Sequence, residues 1–249
     1  MKIFKFSRVN QHLYENLINN SLWFSTRDTF NDPFEGRPRI AYGASKERIN
    51  ELFEIIQDCY PVEGILYSKE MWMKLWVEDS KKAERLLQDI VQTEIGYLGV
   101  CCFCMNYKDI KMWSHYADSH KGICLSFDTG NEELFDQSIK HYKVDYQAEN
   151  LDYDFFCQGN ILDSLMGMTI IKSKVWESEE EYRFIAIKPG MNKFHKHHLN
   201  AIYFGISCNP ITVTTIMQLV NSMGYKVDFF QVDRIFNDYQ FNFRKLDLS

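Results

Sequence analysis

Residues 176–184, "WESEEEYRF", crowd four carboxylates between a tryptophan and the apolar run Phe184, Ile185, Ala186, Ile187. Within it Glu179, Glu181 and Arg183 recur at every second position. In an extended chain alternate residues share a face. If the strand has begun by Glu179, these three point one way, Ile185 and Ile187 continue that face, and Tyr182, Phe184 and Ala186 line the other. Apolar residues on both faces describe a central strand. Two carboxylates about 6–7 Å apart would then stand at its mouth; they repel, and Arg183 offsets part of that cost. Such a pair suits metal binding, or the stabilisation of a cationic transition state with deprotonation of an incoming nucleophile. The plainer alternative is a solvated, charged lead-in to a strand.

Other groups offer less. Cys101, Cys102 and Cys104 suggest a CxxC with an extra cysteine, but no second CxxC follows, and the alternation of "YLGVCCFC" is that of a buried strand in which cysteine is a small hydrophobe. The "HKHH" run, His195 to His198, has no carboxylate or cysteine at local ligand spacing and reads as a solvated loop with no metal. Trp113 and Tyr116 lie three apart on a short helix, on one face, where core packing is the default. His115 and His120 lack a partner at fixed spacing. In "FNDPFE", Asn31, Asp32 and Pro33 form a turn, with Asp32 and Glu35 as alternative pocket carboxylates. Ser114 and Ser126 lack the glycines of a nucleophile elbow, and no phosphate loop of the P-loop or Rossmann kind is present.

The elements that must position these groups follow from periodicity. Strands are expected at "KIFKF", "SLWFS", "YLGVCCFC", "KGICLSFD", "HYKVDY", "EYRFIAIK", "LNAIYFGI", "YKVDFFQV" and "FNFRKL". Helices are expected over 11–20 with Asn10 as N-cap, 45–59, 69–95, around "IKMWSHY", 155–172, and "PITVTTIMQLVNSMG" behind Asn209. With no repeat or linker, the expectation is one α+β domain spanning 1–249, in which 45–96 is a helical insertion or subdomain. A net charge of -6 argues against sequence-independent nucleic-acid binding, which needs a cationic face. "MKIFKFSRVNQ" has no apolar signal core and no stretch approaches a membrane span, so a cytoplasmic protein with reduced thiols is expected.

The joint pattern "LWFSTRDTFNDPFEG … CCFC … MWSHYADSHKGICLSFD … WESEEEYRF … AIYFG" resembles the bacterial domain of unknown function 2971 family, over residues 3 to about 206. More distantly, the chain resembles ADP-ribosyltransferases. These carry a polar or basic residue on the first strand, a Ser-Thr-type motif after the first helix, and E-x-E at a later strand entrance. Here the order is Lys5 or Arg8, then Ser25 and Thr26, then Glu179-x-Glu181. The second resemblance implies a central mixed or split sheet. It implies NAD as the substrate, and an intracellular toxin or anti-phage effector that transfers ADP-ribose to a protein or nucleic acid, with a neutralising or regulatory protein as a further partner. Glu181 would hold the ribose and stabilise the oxocarbenium-like cation. Glu179 would orient or deprotonate the acceptor, Lys5 or Arg8 would contact ribose or phosphate, and Ser25 would support the nicotinamide side. Trp113 or Tyr116 would stack on that ring. Two further readings stay open: a metal-dependent nuclease built on Asp32, Glu35, Glu179 and Glu181, and a non-catalytic ligand-binding module.

Overall fold

The computed structural model describes residues 1–37, 39–41, 50, 53–54, 68–147, 152–154 and 161–247. In chain order the elements are β1 (Lys2–Ser7), α1 (Gln11–Asn19), β2 (Ser21–Phe24), β3 (Arg39–Ala41), α2 (Lys69–Glu78), α3 (Ser80–Tyr97), β4 (Gly99–Cys104), α4 (Ile110–Tyr116), β5 (Ile123–Asp128), β6 (Lys140–Lys143), β7 (Asp145–Gln147), β8 (Asp152–Asp154), α5 (Ile161–Thr169), β9 (Ile171–Ser173), β10 (Glu181–Ala186), β11 (Gly190–Lys193), β12 (Leu199–Phe204), α6 (Pro210–Ser222), β13 (Asp228–Arg234) and β14 (Phe241–Leu246). Mixed α+β architecture is thus observed. The chain forms two units: Met1–Ser25 with Gly99–Val144 and Val175–Ser249, and Thr26–Leu98 with Asp145–Lys174.

The first unit is built on an eight-stranded sheet in the order β14-β13-β12-β5-β1-β4-β10-β6. Its neighbours are antiparallel except for β12 and β13. A parallel pair requires a crossover, and α6 supplies it. Asn209 caps α6, its side chain accepting from the Ile211 amide at 2.8 Å; Pro210 fills the first turn, and Gly224 just beyond adopts φ +72°. Asn10 caps α1 as expected, accepting from the Leu13 amide at 3.0 Å.

Strand alternation sends side chains to two apolar layers. Ile3, Cys101, Phe103, Leu125, Phe127 and Phe184 join Leu13, Leu17, Ile202 and Ile216 in one. Phe4, Phe6, Cys104, Cys124 and Val232 join Met112 and Trp113 in the other. Central strands buried on both faces leave little room for alternating polarity, which is why "KGICLSFD" and "YLGVCCFC" read as nearly continuous apolar runs.

The second unit contains α2 and α3, α5, and the short pairs β3–β8 and β7–β9. The helix expected over 69–95 is two helices: the chain breaks at Asp79, whose side chain caps the second through the Lys82 amide at 3.1 Å. The Arg27 guanidinium reaches the Gly36 carbonyl and the Gln92 backbone and side chain. Lys172 and Glu35, both buried, pair at 3.6 Å. The helix expected over 45–59 lies outside the described residues except at 50, 53 and 54. The "HYKVDY" run divides between β6 and β7 instead of forming one strand. Of the helix expected over 155–172, residues 155–160 lie outside the described residues, α5 covers Ile161–Thr169 with Leu165 and Met166 inside but Leu162 36% exposed, and from Ile171 the chain is strand β9.

Candidate functional site

The approach to the "WESEEEYRF" strand is not extended at Glu179. Lys174–Glu179 is a 3-10 turn and β10 starts at Glu181. Between them Glu180 adopts φ +44°, the left-handed region, an uncommon conformation for a residue with a Cβ. Its carbonyl accepts from the Met105 amide at 3.0 Å, which fixes the kink against the end of β4. The kink, not the pleat, brings Glu179 and Glu181 to one cleft. Further along, Arg183 shares the Glu181 face as expected, whereas Ile187 lies past the strand end and is 61% exposed.

The cleft opens where two strands part. β1 and β4 share one registered pair, Phe4↔Cys104. Beyond it the two diverge, and Val100 of β4 instead exchanges both backbone hydrogen bonds with Ser25, at 2.9 and 2.8 Å. In the gap the Lys5 ammonium donates to the Cys102 carbonyl at 2.9 Å and lies 5.6 Å from the centre of the Phe103 ring. Lys5 therefore ties β1 to a β4 carbonyl by a charge-assisted hydrogen bond. Phe4, Lys5, Cys104, Tyr116, Glu179 and Glu181 line the cleft, whose volume is about 130 Å³.

Charges in it are paired. Glu181, nearly buried, accepts from the Arg183 guanidinium at 3.2 and 2.5 Å on Oε2, and Arg183 is fully buried. Glu179 accepts from the Tyr116 hydroxyl at 2.7 Å. Burial pulls the Lys5 pKa down, but the adjoining Cys101 and Cys102 and the carboxylate of Glu181 outweigh it and hold the ammonium above its ordinary value. At neutral pH Lys5 is a fixed cation, not a nucleophile or a Schiff-base former. Burial drives the Cys104 thiol up to about 12 and Cys124 well above its ordinary value, so neither is a ready thiolate. Cys101 and Cys104 also point to opposite apolar layers, and no disulfide joins the described cysteines.

Of the residues offered as catalytic or cofactor-binding, Lys5, Tyr116, Glu179 and Glu181 meet, with Cys102 and Cys104 beside them. The other candidates do not join them. Arg8 is exposed just past β1. Ser25 bridges Val100, while Glu181 pairs with Cys104 four residues along β4, a separation of about 13 Å at the strand rise. Thr26 sits ahead of a 3-10 turn and its carbonyl accepts from the Thr29 hydroxyl at 2.8 Å. Trp113 is wholly buried, donates to the Tyr107 carbonyl at 2.7 Å, and meets Phe6 edge-on. Asp32 closes its turn through the Phe34 amide at 2.9 Å. The lining also includes Phe6, Phe103 and Met112, none of which stands out in the sequence.

Residues 112–184 match the family model described as a protein of unknown function (DUF2971). This segment runs from α4 through β10 and so contains Tyr116, Glu179 and Glu181. No curated protein and no solved structure matches the chain.

Proposed function

We propose that the cleft is the donor-ribose site of an NAD-dependent ADP-ribosyltransferase. One observation carries the reading: Lys5 of the first strand, Glu179 and Glu181 converge on one cleft although 174 residues of chain separate Lys5 from Glu179. Cleavage of the nicotinamide–ribose bond builds positive charge on the sugar, and a carboxylate in a poorly hydrated recess stabilises it far better than one in water. Glu181 has that setting. Arg183 holds it from below in a single orientation, so that little reorganisation accompanies the charge development. Glu179, oriented by Tyr116, stands beside it as the group that positions or deprotonates the acceptor. Lys5, permanently charged, offsets the negative charge of a phosphate or binds a ribose hydroxyl.

Size sharpens the proposal. A volume of about 130 Å³ equals that of roughly four water molecules in the liquid, and whole drug-sized ligands need several hundred. The cleft accommodates one sugar ring, and the rest of the dinucleotide lies outside it. The acceptor is a macromolecule, protein or nucleic acid, and the effector role of such enzymes makes a neutralising protein the expected partner.

The completeness of the pairing favours a second reading, a non-catalytic polar recess that binds a small ligand. Thermal denaturation with NAD and, separately, with Mg²⁺ divides the readings. NAD at a hundred times its Kd stabilises by about 2.7 kcal/mol, so the transferase reading expects a concentration-dependent rise in Tm with NAD and none with Mg²⁺. No rise with NAD returns the cleft to the second reading.

A further inference from the structure

A separate cluster lies at the opposite end of β1 from Ser7, where β5 ends and β12 begins. Asp128 closes β5 opposite Lys2. The following loop carries Glu132 and Glu133, and the "FHKHHL" segment runs against it. A backbone bond pins the two, the His195 amide donating to the Leu134 carbonyl at 2.9 Å, and the loop closes on itself through the Glu132 amide and the Thr129 carbonyl at 2.9 Å. Phe194, 3% exposed, anchors the segment in the core.

His198 is buried, at 3% exposure. Its Nδ1 lies 3.2 Å from the Asp128 carbonyl and its Nε2 3.1 Å from the Glu133 carbonyl. Carbonyls only accept, so the hydrogen that a neutral imidazole carries can satisfy one of them and not both. With that hydrogen on Nδ1, the Nε2 lone pair faces the Glu133 oxygen, and the Glu132 carboxylate stands 3.7 Å away. The same carboxylate oxygen lies 2.9 Å from His197 Nε2, and the rings of His197 and His198 are 4.0 Å apart at their centroids. A hydrogen on His197 Nε2 can donate to Glu132, so the contact left without a hydrogen is at His198, where one ring nitrogen faces an oxygen lone pair. A cation placed there removes the conflict.

We propose that Glu132, His197 and His198 form a binding site for a divalent transition metal of the zinc class. The ligand atoms lie within 4.8 Å of one another, and this is the one such group found among the described residues. The distances from the Glu132 carboxylate to the two ring nitrogens, 2.9 and 3.7 Å, bracket the separation of about 3.3 Å between ligands of a tetrahedral zinc with bonds near 2.0 Å. Imidazole and carboxylate are the donors that zinc, cobalt and nickel take, in contrast to the all-oxygen shells of magnesium and calcium. The Nδ1 contact to a backbone carbonyl is the arrangement by which metal-binding histidines fix their tautomer and ring direction. Bound in the cluster, the metal ties the loop after β5 to the start of β12. The site shares no residue with the cleft and is independent of the transferase proposal.

The test is titration of untagged, chelator-stripped full-length protein with Zn²⁺ by calorimetry near neutral pH, and with Co²⁺ by visible absorption. Glu132 and His197 are exposed, at 69% and 66%, so Glu132→Gln and His197→Ala should fold. The proposal expects one saturable site with tetrahedral cobalt bands in the wild type, and at least a tenfold loss of affinity in each variant, which is the lower end of the effect of losing even a supporting contact. His12→Ala and His115→Ala, at exposed histidines elsewhere, should bind as the wild type does. Absence of saturable binding, or equal affinity in the Glu132 and His197 variants, would overturn the proposal.

Discussion

Lys5 has two roles that one substitution can separate. It donates to the Cys102 carbonyl in the gap between β1 and β4, and it places a positive charge beside Glu181. Lys5→Met keeps the stem and removes both, so a stability loss of about 2 kcal/mol is expected from the lost hydrogen bond to a charged group. Its pH dependence follows from the raised pKa. The folded state holds the proton more tightly than the unfolded chain, so the contribution is complete below the unfolded lysine value of about 10.4 and is lost as pH rises through the higher folded value. Urea denaturation of both proteins should show a constant difference through the neutral range that narrows only at strongly alkaline pH. A difference that already varies near neutrality would mean that the Lys5 proton is weakly held and the electrostatic account is wrong. The sequence exposed these residues unevenly. Glu181 and Arg183 stand out because the two-residue period continues into an apolar strand. Tyr116 was flagged as an aromatic wall, yet what it does here is donate to Glu179, a contact between residues 63 apart that no local pattern encodes. The Glu132–His197–His198 cluster was hidden for the same reason: "HKHH" lacks a carboxylate in its own neighbourhood, and the fold supplies one from 65 residues away.

At the scale of elements, the left-handed residue between the two glutamates has more influence than the strand itself. Glycine at position 180 removes the steric cost of φ +44°, about 1–2 kcal/mol, and offsets it with added freedom of the unfolded chain. Glu180→Gly should therefore be near neutral in stability. Glu180→Val combines a β-branched side chain with a left-handed backbone and should destabilise by about 2 kcal/mol, with a larger loss of activity as Glu179 swings from the cleft. Chemical denaturation with NAD turnover on both variants checks this; equal stability of the two would show that the kink relaxes freely. Regular elements were readable because their signals are local: Asn10 and Asn209 as caps, Gly224 as a stop, apolar runs in β5 and β10. Irregular ones were not. Asp118, Ser119 and His120 form three consecutive left-handed residues, a run that propensity argues against. It is held by backbone approach, since a Cβ on Gly205 would lie 2.2 Å from the His120 carbonyl oxygen and one on Gly122 2.2 Å from that of Ser7. Such closeness is a property of the assembled sheet. Whether the strand had begun by Glu179 was likewise left open, because charged residues carry no signal that tells a 3-10 turn from an extended lead-in.

For the whole molecule, mixed α+β architecture was legible from the alternation of strand and helix patterns, but the order of eight strands was not, because pairing between distant strands is set by burial of both sheet faces at once. The parting of β1 from β4, where the cleft forms, is visible only when Ser25 is seen to occupy the edge of Val100. No helix among the described residues is long and apolar enough to cross a membrane. The account of function rests on Glu181, and the direct measurement is release of nicotinamide from labelled NAD, with and without cell extract as a source of acceptor, by wild type, Glu181→Gln and Glu179→Gln. Glu181→Gln retains shape and removes charge, so the rate should fall at least about a hundredfold, equivalent to about 3 kcal/mol of transition-state stabilisation. Glu179→Gln should lose transfer to the extract while retaining part of the hydrolysis, because water needs less orientation than a macromolecular acceptor. Circular dichroism on the same preparations keeps unfolding from being read as lost chemistry. Nicotinamide release at the wild-type rate by folded Glu181→Gln, or none by the wild type, would contradict the assignment and leave the carboxylates of "WESEEEYRF" as the paired entrance of a structural strand.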